Sequence, residues 1–388
     1  MQQTVIITLR GAKRLRGGHL WIYRSDVVNV DGVEAGSIVK LRDERDRHLG
    51  QAFYSDRSEI SLRLLTPGDE PIDKDWWRSR LQAAAGRREG IRRNANAYRL
   101  VYSEGDLLPS LIVDVYDDVL VMQTLSQGTE QSKETLVELL VEEFQPRAIV
   151  ERNDVRVREL EGLEMRVGVL YGQPPERLEV TQHGVRFLVQ PLGGQKTGSF
   201  LDQSENHFAA QRLAKGRALD CFTFNGGFAL HLARTCESVL ALDISPDAIE
   251  AGRRNAELNG ARNVEFVEAN VFDALREMEA AGERFDTIVL DPPAFAKNRA
   301  SVKPAARGYK EINLRALKLL KPGGVLITCT CSYHMSEAMF LEIVGDAARD
   351  AHRRVQLVEK RMQASDHPVL FGMPETYYLK CLVARVME

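Results

Sequence analysis

The stretch that decides the fold of this chain reads Arg217-Ala-Leu-Asp-Cys-Phe-Thr-Phe-Asn-Gly-Gly-Phe-Ala-Leu-His-Leu-Ala233. A short apolar run passes an aspartate, reaches a pair of glycines and becomes helix-forming, which predicts a strand, a tight turn and a helix. Backbone N–H groups and the positive helix end meet at such a turn and favour a polar ligand. About twenty residues on, a second apolar run ends in Asp243, where a carboxylate can accept both hydroxyls of a ribose. Together these two elements predict a nucleoside-binding α/β domain.

The chain from Leu178 onward repeats this alternation of apolar runs and helical stretches. Five such runs predict a mostly parallel sheet that is covered by helices on both faces. Ligands of these sheets sit beyond the carboxyl ends of the strands, so the residues there should converge. The five runs are Ala218–Phe222, Val239–Asp243, Val264–Ala269, Asp286–Leu290 and Gly324–Cys331, and the polar or nucleophilic residues at their ends are Asp220, Asp243, Asn270, Asp291 and Cys331.

The residues near the ends of the first and third predicted strands are interpreted as part of a site for a small polar ligand. Asp220 and the Asn225-Gly226 turn should hold the polar end of that ligand. Asn270 occupies a position where an acid would also serve, and its amide can hydrogen-bond an adenine edge. Asp273 is the alternative for this contact, although we interpret it as the cap of a helix that starts there.

Two segments carry the candidate chemistry. In Asp291-Pro-Pro-Ala-Phe295 the prolines hold the aspartate in an extended backbone, and the phenylalanine can stack on a planar base. In Thr328-Cys-Thr-Cys-Ser-Tyr333, Cys331 lies nearer the ligand end than Cys329, and a thiolate there could add to an electron-poor pyrimidine. The alternatives are a purely structural turn and small buried cysteines, and we keep the latter interpretation for Cys329.

The segment Gly194-Gln-Lys-Thr-Gly-Ser-Phe-Leu-Asp-Gln203 precedes the first strand of the predicted sheet. It has two glycines and a lysine but lacks the residue order of a phosphate-binding P-loop. We interpret it as a loop that closes over a cofactor, with Lys196 or Phe200 near the ligand.

The front of the chain is basic and reads as all-β. Residues 1–100 hold 19 Lys and Arg against 13 Asp and Glu, a net +6, whereas the remainder holds 33 against 42, a net −9. This asymmetry favours contact with a polyanion through the front, although an unevenly charged surface is the alternative. Cations around aromatic rings suit phosphate contact and stacking, although the rings could instead belong to the core of a small barrel. The residues concerned are Lys13, Arg14, Arg16 and Arg24, with Trp21 and Tyr23 among them.

Four segments are predicted along the 388 residues. Residues 1–70 form a β-barrel, 71–97 a helical linker with six arginines, 98–177 a small unit of strands and a helix, and 178–388 the large α/β domain. No apolar run approaches the ~20 residues that cross a bilayer. The five cysteines and the histidines show no disulfide or metal spacing, so a reducing cytoplasm and no metal are expected.

The combined motifs resemble one known family. They are the Gly194–Gln203 loop, Leu-Asp-Cys-Phe-x-x-x-Gly-Gly-Phe, Asp-Pro-Pro-Ala-Phe, Cys-Ser followed by His-Met, Asp366-His-Pro-Val, and Pro374-Glu-x-x-Tyr-Leu-Lys. On these the chain is identified as a member of the bacterial large-subunit ribosomal RNA cytosine-C5 methyltransferases that carry an N-terminal PUA domain (the RlmI type). The resemblance covers nearly the whole chain.

This resemblance implies a class I S-adenosylmethionine (SAM) domain behind a PUA barrel and a central β-α-β unit. It makes 23S ribosomal RNA the substrate, with no membrane partner, and leaves a homodimer open. Cys331 would be the nucleophile, Asp291 the group at the target base, and Phe295 with the cations above the RNA contacts. The residues expected at the cofactor are Asp220, Phe222, Asn225, Gly226, Asp243, Ile244, Asn270, Val271, Asp291, Lys196 and Phe200.

Two other functions stay open from the residues alone. The same fold could methylate a guanine, with Asp291 acting through hydrogen bonds and no covalent intermediate. Alternatively, the chain could be a non-catalytic RNA-binding assembly factor that uses its basic front.

Overall fold

The computed structural model describes residues 3–30, 32–193, 199–296 and 298–387. The chain divides into two compact units. The first unit comprises Met1–Val180, Val189–Ser199 and Asp366–Thr376, and the second comprises Thr181–Leu188, Phe200–Ser365 and Tyr377–Glu388. The predicted boundaries at 70, 97 and 177 stay predictions. The last predicted domain included 366–376, whereas the structure groups that segment with the first unit.

The first unit begins with a six-stranded sheet and a short helix. Its elements are β1 (Thr4–Ile7), α1 (Leu9–Arg16), β2 (Trp21–Tyr23), β3 (Val27–Asn29), β4 (Ile38–Asp43), β5 (His48–Tyr54) and β6 (Ile60–Thr66). The strands lie in the order β2-β6-β5-β4-β1-β3. Alternation produces the core: Val39 and Leu41 of β4 are buried, while Ile38, Lys40 and Arg42 are only partly buried.

Helix α1 corrects the all-β prediction for residues 1–70. Thr8 caps it by accepting a hydrogen bond from the N–H of Gly11 at 3.1 Å. Ala12 and Leu15, three residues apart, are buried on the face toward the sheet. Arginine and lysine are good helix formers, so this basic segment of the predicted all-β region is helical when Ala12 and Leu15 are buried against the sheet.

A second sheet completes most of the first unit. Its strands and the helices beside them are α2 (Lys74–Arg87), β7 (Ala97–Tyr102), β8 (Leu111–Tyr116), β9 (Val119–Thr124), α3 (Gln127–Gln131), α4 (Lys133–Phe144), β10 (Ala148–Arg152) and β11 (Val167–Gly172), with the sheet in the order β11-β10-β9-β8-β7. Helix α2, predicted as a linker, buries Trp76, Trp77 and Leu81 in a core shared with this sheet.

Two arginines of the predicted linker, Arg78 and Arg88, are engaged by carboxylates within the first unit. Arg78 bonds Glu142 at 2.9 Å and Glu143 at 3.0 Å on α4. Arg88, only 1% exposed, pairs with Asp106 at 2.6 Å. These contacts make α2 a packed element of the unit, and they leave Arg78 and Arg88 engaged by carboxylates.

The segment Asp366–Thr376 completes the first unit from the far end of the chain. The backbone carbonyl of Asp366 accepts a hydrogen bond from Arg88 at 2.7 Å, and its carboxylate accepts the N–H of Arg99 at 2.7 Å. Met373 is fully buried in the core of the six-stranded sheet. The first unit therefore includes residues that lie more than 150 positions beyond its other parts.

The second unit is built on a seven-stranded sheet. After a two-stranded sheet of β12 (Leu178–Gln182) and β13 (Val185–Val189) come α5 (Ser204–Leu213), β14 (Arg217–Cys221), α6 (Gly227–Leu232), β15 (Ser238–Asp243), α7 (Pro246–Asn259), β16 (Val264–Glu268), α8 (Val271–Ala280), β17 (Phe285–Leu290), α9 (Val302–Leu319), β18 (Leu320–Thr330), α10 (Glu337–Asp350), β19 (Val355–Met362) and β20 (Lys380–Val386). The order is β16-β15-β14-β17-β18-β20-β19.

The first five strands in this order are parallel, and β20 runs antiparallel to both neighbours. All five predicted runs are strands of this sheet, and the α/β fold class is confirmed. Their carboxyl ends lie at one edge, as the topology of parallel strands requires. No helix among the described residues is long and apolar enough to cross a bilayer.

Candidate active site

The first part of the site is the turn between β14 and α6, residues 222–226. Phe222 and Phe224 adopt left-handed backbone conformations with φ of 66° and 50°, and Gly226 follows with φ of 89°. A side chain at Gly227 would place its Cβ 2.6 Å from Cε1 of His207. Both glycines are therefore required by geometry, and they allow the chain to reverse directly into the N-terminus of α6.

Asp220 is the buried carboxyl group beneath this turn. It is fully buried, and its Oδ2 accepts a hydrogen bond from Thr223 at 2.6 Å. Its Oδ1 is also buried and has no hydrogen-bond partner among the described residues. Burial raises the pKa of Asp220 to about 7, although the hydrogen bond from Thr223 opposes that shift. A buried acceptor in this state is suited to a ligand that brings a donor.

Asp243 ends β15 with both carboxylate oxygens oriented by backbone. Oδ2 accepts the N–H of Phe224 at 2.9 Å and Oδ1 accepts the N–H of Ser245 at 2.9 Å. Each oxygen keeps lone-pair capacity for a second donor, as two ribose hydroxyls require. Ile244 beside it is 66% exposed, which leaves an apolar surface next to the carboxylate.

Asn270 sits at the start of α8 and corrects one prediction. Its Oδ1 accepts the N–H of Phe272 at 2.9 Å, so Asn270 caps the helix. The prediction that Asp273 is the cap is wrong, because the helix begins two residues earlier at Val271. Capping uses only the carbonyl of the Asn270 amide, and its NH₂ group remains a donor. Val271 is buried in the core.

Asp291 follows β17 and is held by a residue that the sequence analysis did not assign. Gln203 donates from Nε2 to Asp291 Oδ1 at 2.9 Å. Gln203 is itself fixed, because its Oε1 accepts a hydrogen bond from Asn206 at 2.7 Å. The nearby Phe200 packs edge-on against Phe224, with ring centroids 4.8 Å apart.

Phe295 belongs to an aromatic cluster on the far side of the Asp291 loop. Its ring centroid lies 4.7 Å from that of Tyr309, and the rings of Phe222 and Phe272 are also adjacent. The side chain remains partly exposed. Stacking on a base therefore stays a prediction for the part of the ring that the cluster leaves open.

Cys331 lies just past the end of β18, whereas Cys329 is a strand residue. Cys329 is fully buried and faces Cys381 across the β18–β20 pair. Cys331 is partly exposed, and the other four cysteines are buried. Strands β17 and β18 are adjacent and parallel, so Asp291 and Cys331 follow neighbouring strand ends at the same edge.

A hydrogen-bond chain connects the residues on either side of Cys331 to Ala296, which follows the Asp291-Pro-Pro-Ala-Phe295 loop. The hydroxyl of Tyr309, buried on α9, accepts from Thr330 at 2.7 Å and lies 3.0 Å from Ser332 Oγ. Ser332 Oγ in turn accepts the N–H of Ala296 at 3.2 Å. This chain fixes the segment around Cys331 to the Asp291-Pro-Pro-Ala-Phe295 loop.

Lys380 is a second residue near the site that the sequence analysis did not assign. It begins β20 opposite Thr330 and is only 3% exposed. Its Nζ donates to the carbonyls of Tyr378 at 3.1 Å and Ser332 at 3.5 Å. Burial lowers the pKa of Lys380 to about 8, although the nearby Cys331 and Glu337 oppose the shift.

The predicted RNA contacts lie in the first unit. Arg14 pairs with Asp26 at 2.7 Å, Arg16 with Asp43 at 2.9 Å, and Arg24 donates to the carbonyls of Asp56 and Ser58. Lys13 is exposed and makes no ion pair with a described residue. Trp21 packs on the hydrophobic core, as the alternative interpretation held, and Arg14 lies over the ring of Tyr23. Lys196 lies outside the described residues.

Comparison with known proteins defines the class. Residues 148–381 match the family described as S-adenosylmethionine-dependent methyltransferase, and residues 5–67 match a PUA-like domain. With a sheet in this order and an acidic pair at the ends of β14 and β15, the protein is an S-adenosylmethionine-dependent methyltransferase with a PUA-like domain at its front.

Individual relatives narrow the assignment to a particular family. The chain is 42% identical to the ribosomal RNA large subunit methyltransferase I of Tolumonas auensis over 100% of both chains. It is 43% identical to that of Shewanella amazonensis, over 96% of this chain and 97% of the relative. For the Vibrio cholerae protein the identity is 40%, over 97% of both. The chain belongs to the ribosomal RNA large subunit methyltransferase I family.

Solved structures share the fold. A methyltransferase crystallised with S-adenosylhomocysteine superposes with a TM-score of 0.86 at 20% identity, over 99% of this chain and 100% of that one. A SAM-dependent methyltransferase from Streptococcus mutans gives a TM-score of 0.84 at the same identity and coverage. At this identity the likeness concerns the fold alone.

The residues present fit S-adenosylmethionine as the cofactor. The unpartnered Oδ1 of Asp220 can accept a donor, the glycine turn admits a close backbone approach, and the oriented carboxylate of Asp243 suits ribose hydroxyls. The contributions of Phe222, Asn225, Asn270, Phe200 and the other predicted contacts stay predictions.

Proposed function

We propose that this protein methylates C5 of a cytosine in 23S ribosomal RNA through a covalent bond from Cys331 to the base. One observation supports the nucleophile most directly. Cys331 is the partly exposed cysteine, and it lies at the carboxyl edge of the sheet beside the strand that ends at Asp291. The relatives' names support ribosomal RNA as the substrate, and the PUA-like front supports RNA binding. These steps would take place in the cytoplasm.

Cytosine C5 is a poor nucleophile, and we propose that covalent addition at C6 activates it. The Cys331 thiolate adds to C6, the S–C6 bond forms, and the electron pair of the C5–C6 double bond is displaced so that C5 becomes nucleophilic. Asp291 in its protonated form donates a hydrogen bond to N3 and stabilises the charge that develops on the ring. Gln203 holds the Asp291 carboxyl group in place for this role.

S-adenosylmethionine, when bound, supplies the electrophilic methyl group. The chain's own contribution is to orient the base and keep it within reach, with Phe295 beside it. Once C5 carries the methyl group, its proton passes to a base, the C5–C6 double bond re-forms and the S–C6 bond breaks. The sulfur leaves as a thiolate and is ready for another turnover. The target cytosine must be unpaired or everted, because a paired base does not expose these atoms.

The test is tritiated methyl transfer from S-adenosylmethionine to 23S RNA that lacks modifications, followed by nucleoside analysis. Cys331→Ala should lose methyl transfer by at least about 10³-fold while it still binds the cofactor by calorimetry. Cys236→Ala, which changes a cysteine away from the site, should remain active. RNA with fluorine at cytosine C5 should form an adduct with the native protein that survives denaturation.

The alternatives predict different outcomes. Methylated guanosine in the product, together with an active Cys331→Ala variant, would establish the guanine reaction instead. Failure of the native protein to bind S-adenosylmethionine would favour the assembly factor.

A further inference from the structure

Lys380 is a buried cation without a carboxylate of its own. Although it is 3% exposed, its hydrogen bonds go only to two backbone carbonyls, and no ion pair joins it to a carboxylate among the described residues. An isolated charge in such a position is costly, and proteins either compensate it with an opposite charge or replace it. The placement therefore calls for an anion nearby.

The charged and titratable groups around Lys380 narrow the choice of that anion. Glu337 of α10 is already engaged, because it pairs with Lys360 at 2.6 Å and accepts the hydroxyl of Tyr377 at 3.0 Å. The ring of Tyr377 lies 5.1 Å from Lys380 Nζ and presents its π face. From the β18 side the facing group is Cys331.

Lys380 contacts the residues on both sides of Cys331. Lys380 pairs in register with Thr330, and its Nζ reaches the carbonyl of Ser332. Cys331 lies between these two residues in the chain. The backbone of Lys380 is thus paired with the residue before the cysteine, and its ammonium group is hydrogen-bonded to the carbonyl of the residue after it.

We propose that Lys380 is the counter-charge of the Cys331 thiolate and keeps this sulfur ionised at neutral pH. The proton that leaves the sulfur goes to water, and the ammonium group keeps its three protons. Lys380 is a positioning residue in this account, since it acts on the base only through the cysteine. The inference deepens the proposed function, and it rests on Cys331 being the nucleophile.

Burial and the neighbouring sulfur act in opposite directions on Lys380. Burial lowers its pKa to about 8, which still leaves most of the side chain charged at neutral pH, and a thiolate at Cys331 raises that pKa. Each charge therefore stabilises the other.

The pH dependence of iodoacetamide alkylation at Cys331 tests this pairing. The full-length protein is alkylated between about pH 6 and about pH 10, and mass spectrometry follows the Cys331 peptide. The other four cysteines are buried, so the reaction reports this one, and Cys331→Ala supplies the blank. Lys380→Met should move the profile up by about one pH unit, a roughly tenfold slower alkylation near neutrality.

Matched variants separate the charge from the packing. Lys310→Met removes a surface lysine that pairs with Asp350 on the same unit and should leave the profile unchanged. Lys380→Gln keeps a polar group of similar reach without the charge, and it should shift the profile like Lys380→Met. An unmoved profile in folded Lys380→Met or Lys380→Gln protein overturns the proposal. If neither variant folds, the native profile decides, since a midpoint at or above about 8.5, that of a free thiol, also overturns it.

The experiments distinguish a failure of this inference from a failure of the proposed function. If Cys331→Ala still methylates RNA, the covalent route fails, whatever the alkylation profile shows. If Cys331→Ala is inactive while Lys380→Met alkylates with the native profile, only the role of Lys380 fails.

Discussion

We expect Asp220 to couple binding of the cofactor to release of a proton. The free carboxyl group has a pKa of about 7, raised from 3.8 by burial, so it is largely protonated below neutral pH. Its contribution to the stability of the ligand-free protein is therefore lost as the pH rises from about 4 to about 7, because the unfolded chain ionises first. A ligand that donates to Oδ1 favours the ionised form, so binding must release the proton at low pH.

The affinity for S-adenosylmethionine should therefore depend on pH with a defined sign. We expect it to fall by up to about tenfold per pH unit below about 7 and to level off above that value. Calorimetry in buffers of different ionisation enthalpy would measure both the affinity and the released proton. Asp220→Asn should bind weakly at every pH with a flat profile, whereas Asp243→Asn should weaken binding and keep the slope. A native slope in Asp220→Asn would contradict this coupling.

At the residue scale the sequence analysis placed the strand-end residues but missed those that support them. Asp220, Asp243 and Asp291 carry a local signal, since each lies at the end of an apolar run. Gln203 bonds Asp291 across 88 positions, and Lys380 reaches Ser332 across 48. No periodicity encodes such distant pairs, so only the folded sheet brings them together.

At the scale of secondary structure, helix α9 and the end of strand β18 together hold the segment around Cys331. Tyr309 is fully buried on α9, and its hydroxyl touches both Thr330 and Ser332, on either side of Cys331. Because Ser332 also holds the N–H of Ala296, loss of the hydroxyl releases two segments at once. Tyr309 therefore links helix α9, the end of β18 and the loop that precedes Ala296, and we call these contacts the Tyr309 brace.

Tyr309→Phe should separate catalysis from binding. We expect turnover to fall about tenfold through misplacement of Cys331, the proposed nucleophile, with the S-adenosylmethionine affinity nearly unchanged. The free energy of unfolding should drop by about 1–2 kcal/mol, because two buried hydroxyls lose a partner. Steady-state kinetics, calorimetry and denaturant melts would measure the three quantities. Tyr171→Phe, at a 42% exposed tyrosine, is the control, and equal losses in both variants would count against the brace.

The helix at the front shows why some elements escape prediction. Residues 9–16 contain a glycine and four basic side chains, and they lie in the stretch that was predicted to be all-β. Only Ala12 and Leu15 contact the core, too few for a recognisable helical period. The strands of the second unit were easier to predict from the sequence, because their continuous apolar runs are typical of a sheet that is covered on both faces.

At the scale of the whole molecule, the structure distinguishes the predicted RNA-contacting cations that are paired with carboxylates from those that are not. Of the four predicted cationic contacts, Arg14 and Arg16 are neutralised by Asp26 and Asp43. Lys13 is exposed on α1 without an ion pair among the described residues. An unneutralised cation can replace a counterion on a phosphate, whereas a paired one must first give up its carboxylate.

Lys13→Ala should weaken RNA binding about tenfold at low salt and reduce the slope of log affinity against log salt by about 1. Filter binding to a 23S RNA fragment at several salt concentrations would measure both. Arg156→Ala removes a 94% exposed cation elsewhere in the first unit and should change neither value. Equal effects of the two variants would point to nonspecific charge in place of a defined contact.

The α/β class of the second unit and the strand-rich front were predictable for the molecule as a whole, because both rest on patterns within short stretches. The return of Asp366–Thr376 to the first unit was not, since its bonds to Arg88 and Arg99 span 278 and 267 positions. Contacts of such separation leave no trace in local composition.

That return has a consequence for biosynthesis. During translation the basic front emerges first, yet Met373, which fills its core, and Asp366, which bonds two of its arginine residues, leave the ribosome only after nearly the whole chain has been made. The nascent front must wait, incompletely closed, while the catalytic sheet is synthesised. Maturation of the RNA-binding end is thereby tied to completion of the polypeptide, so a prematurely terminated product would lack a finished version of either half.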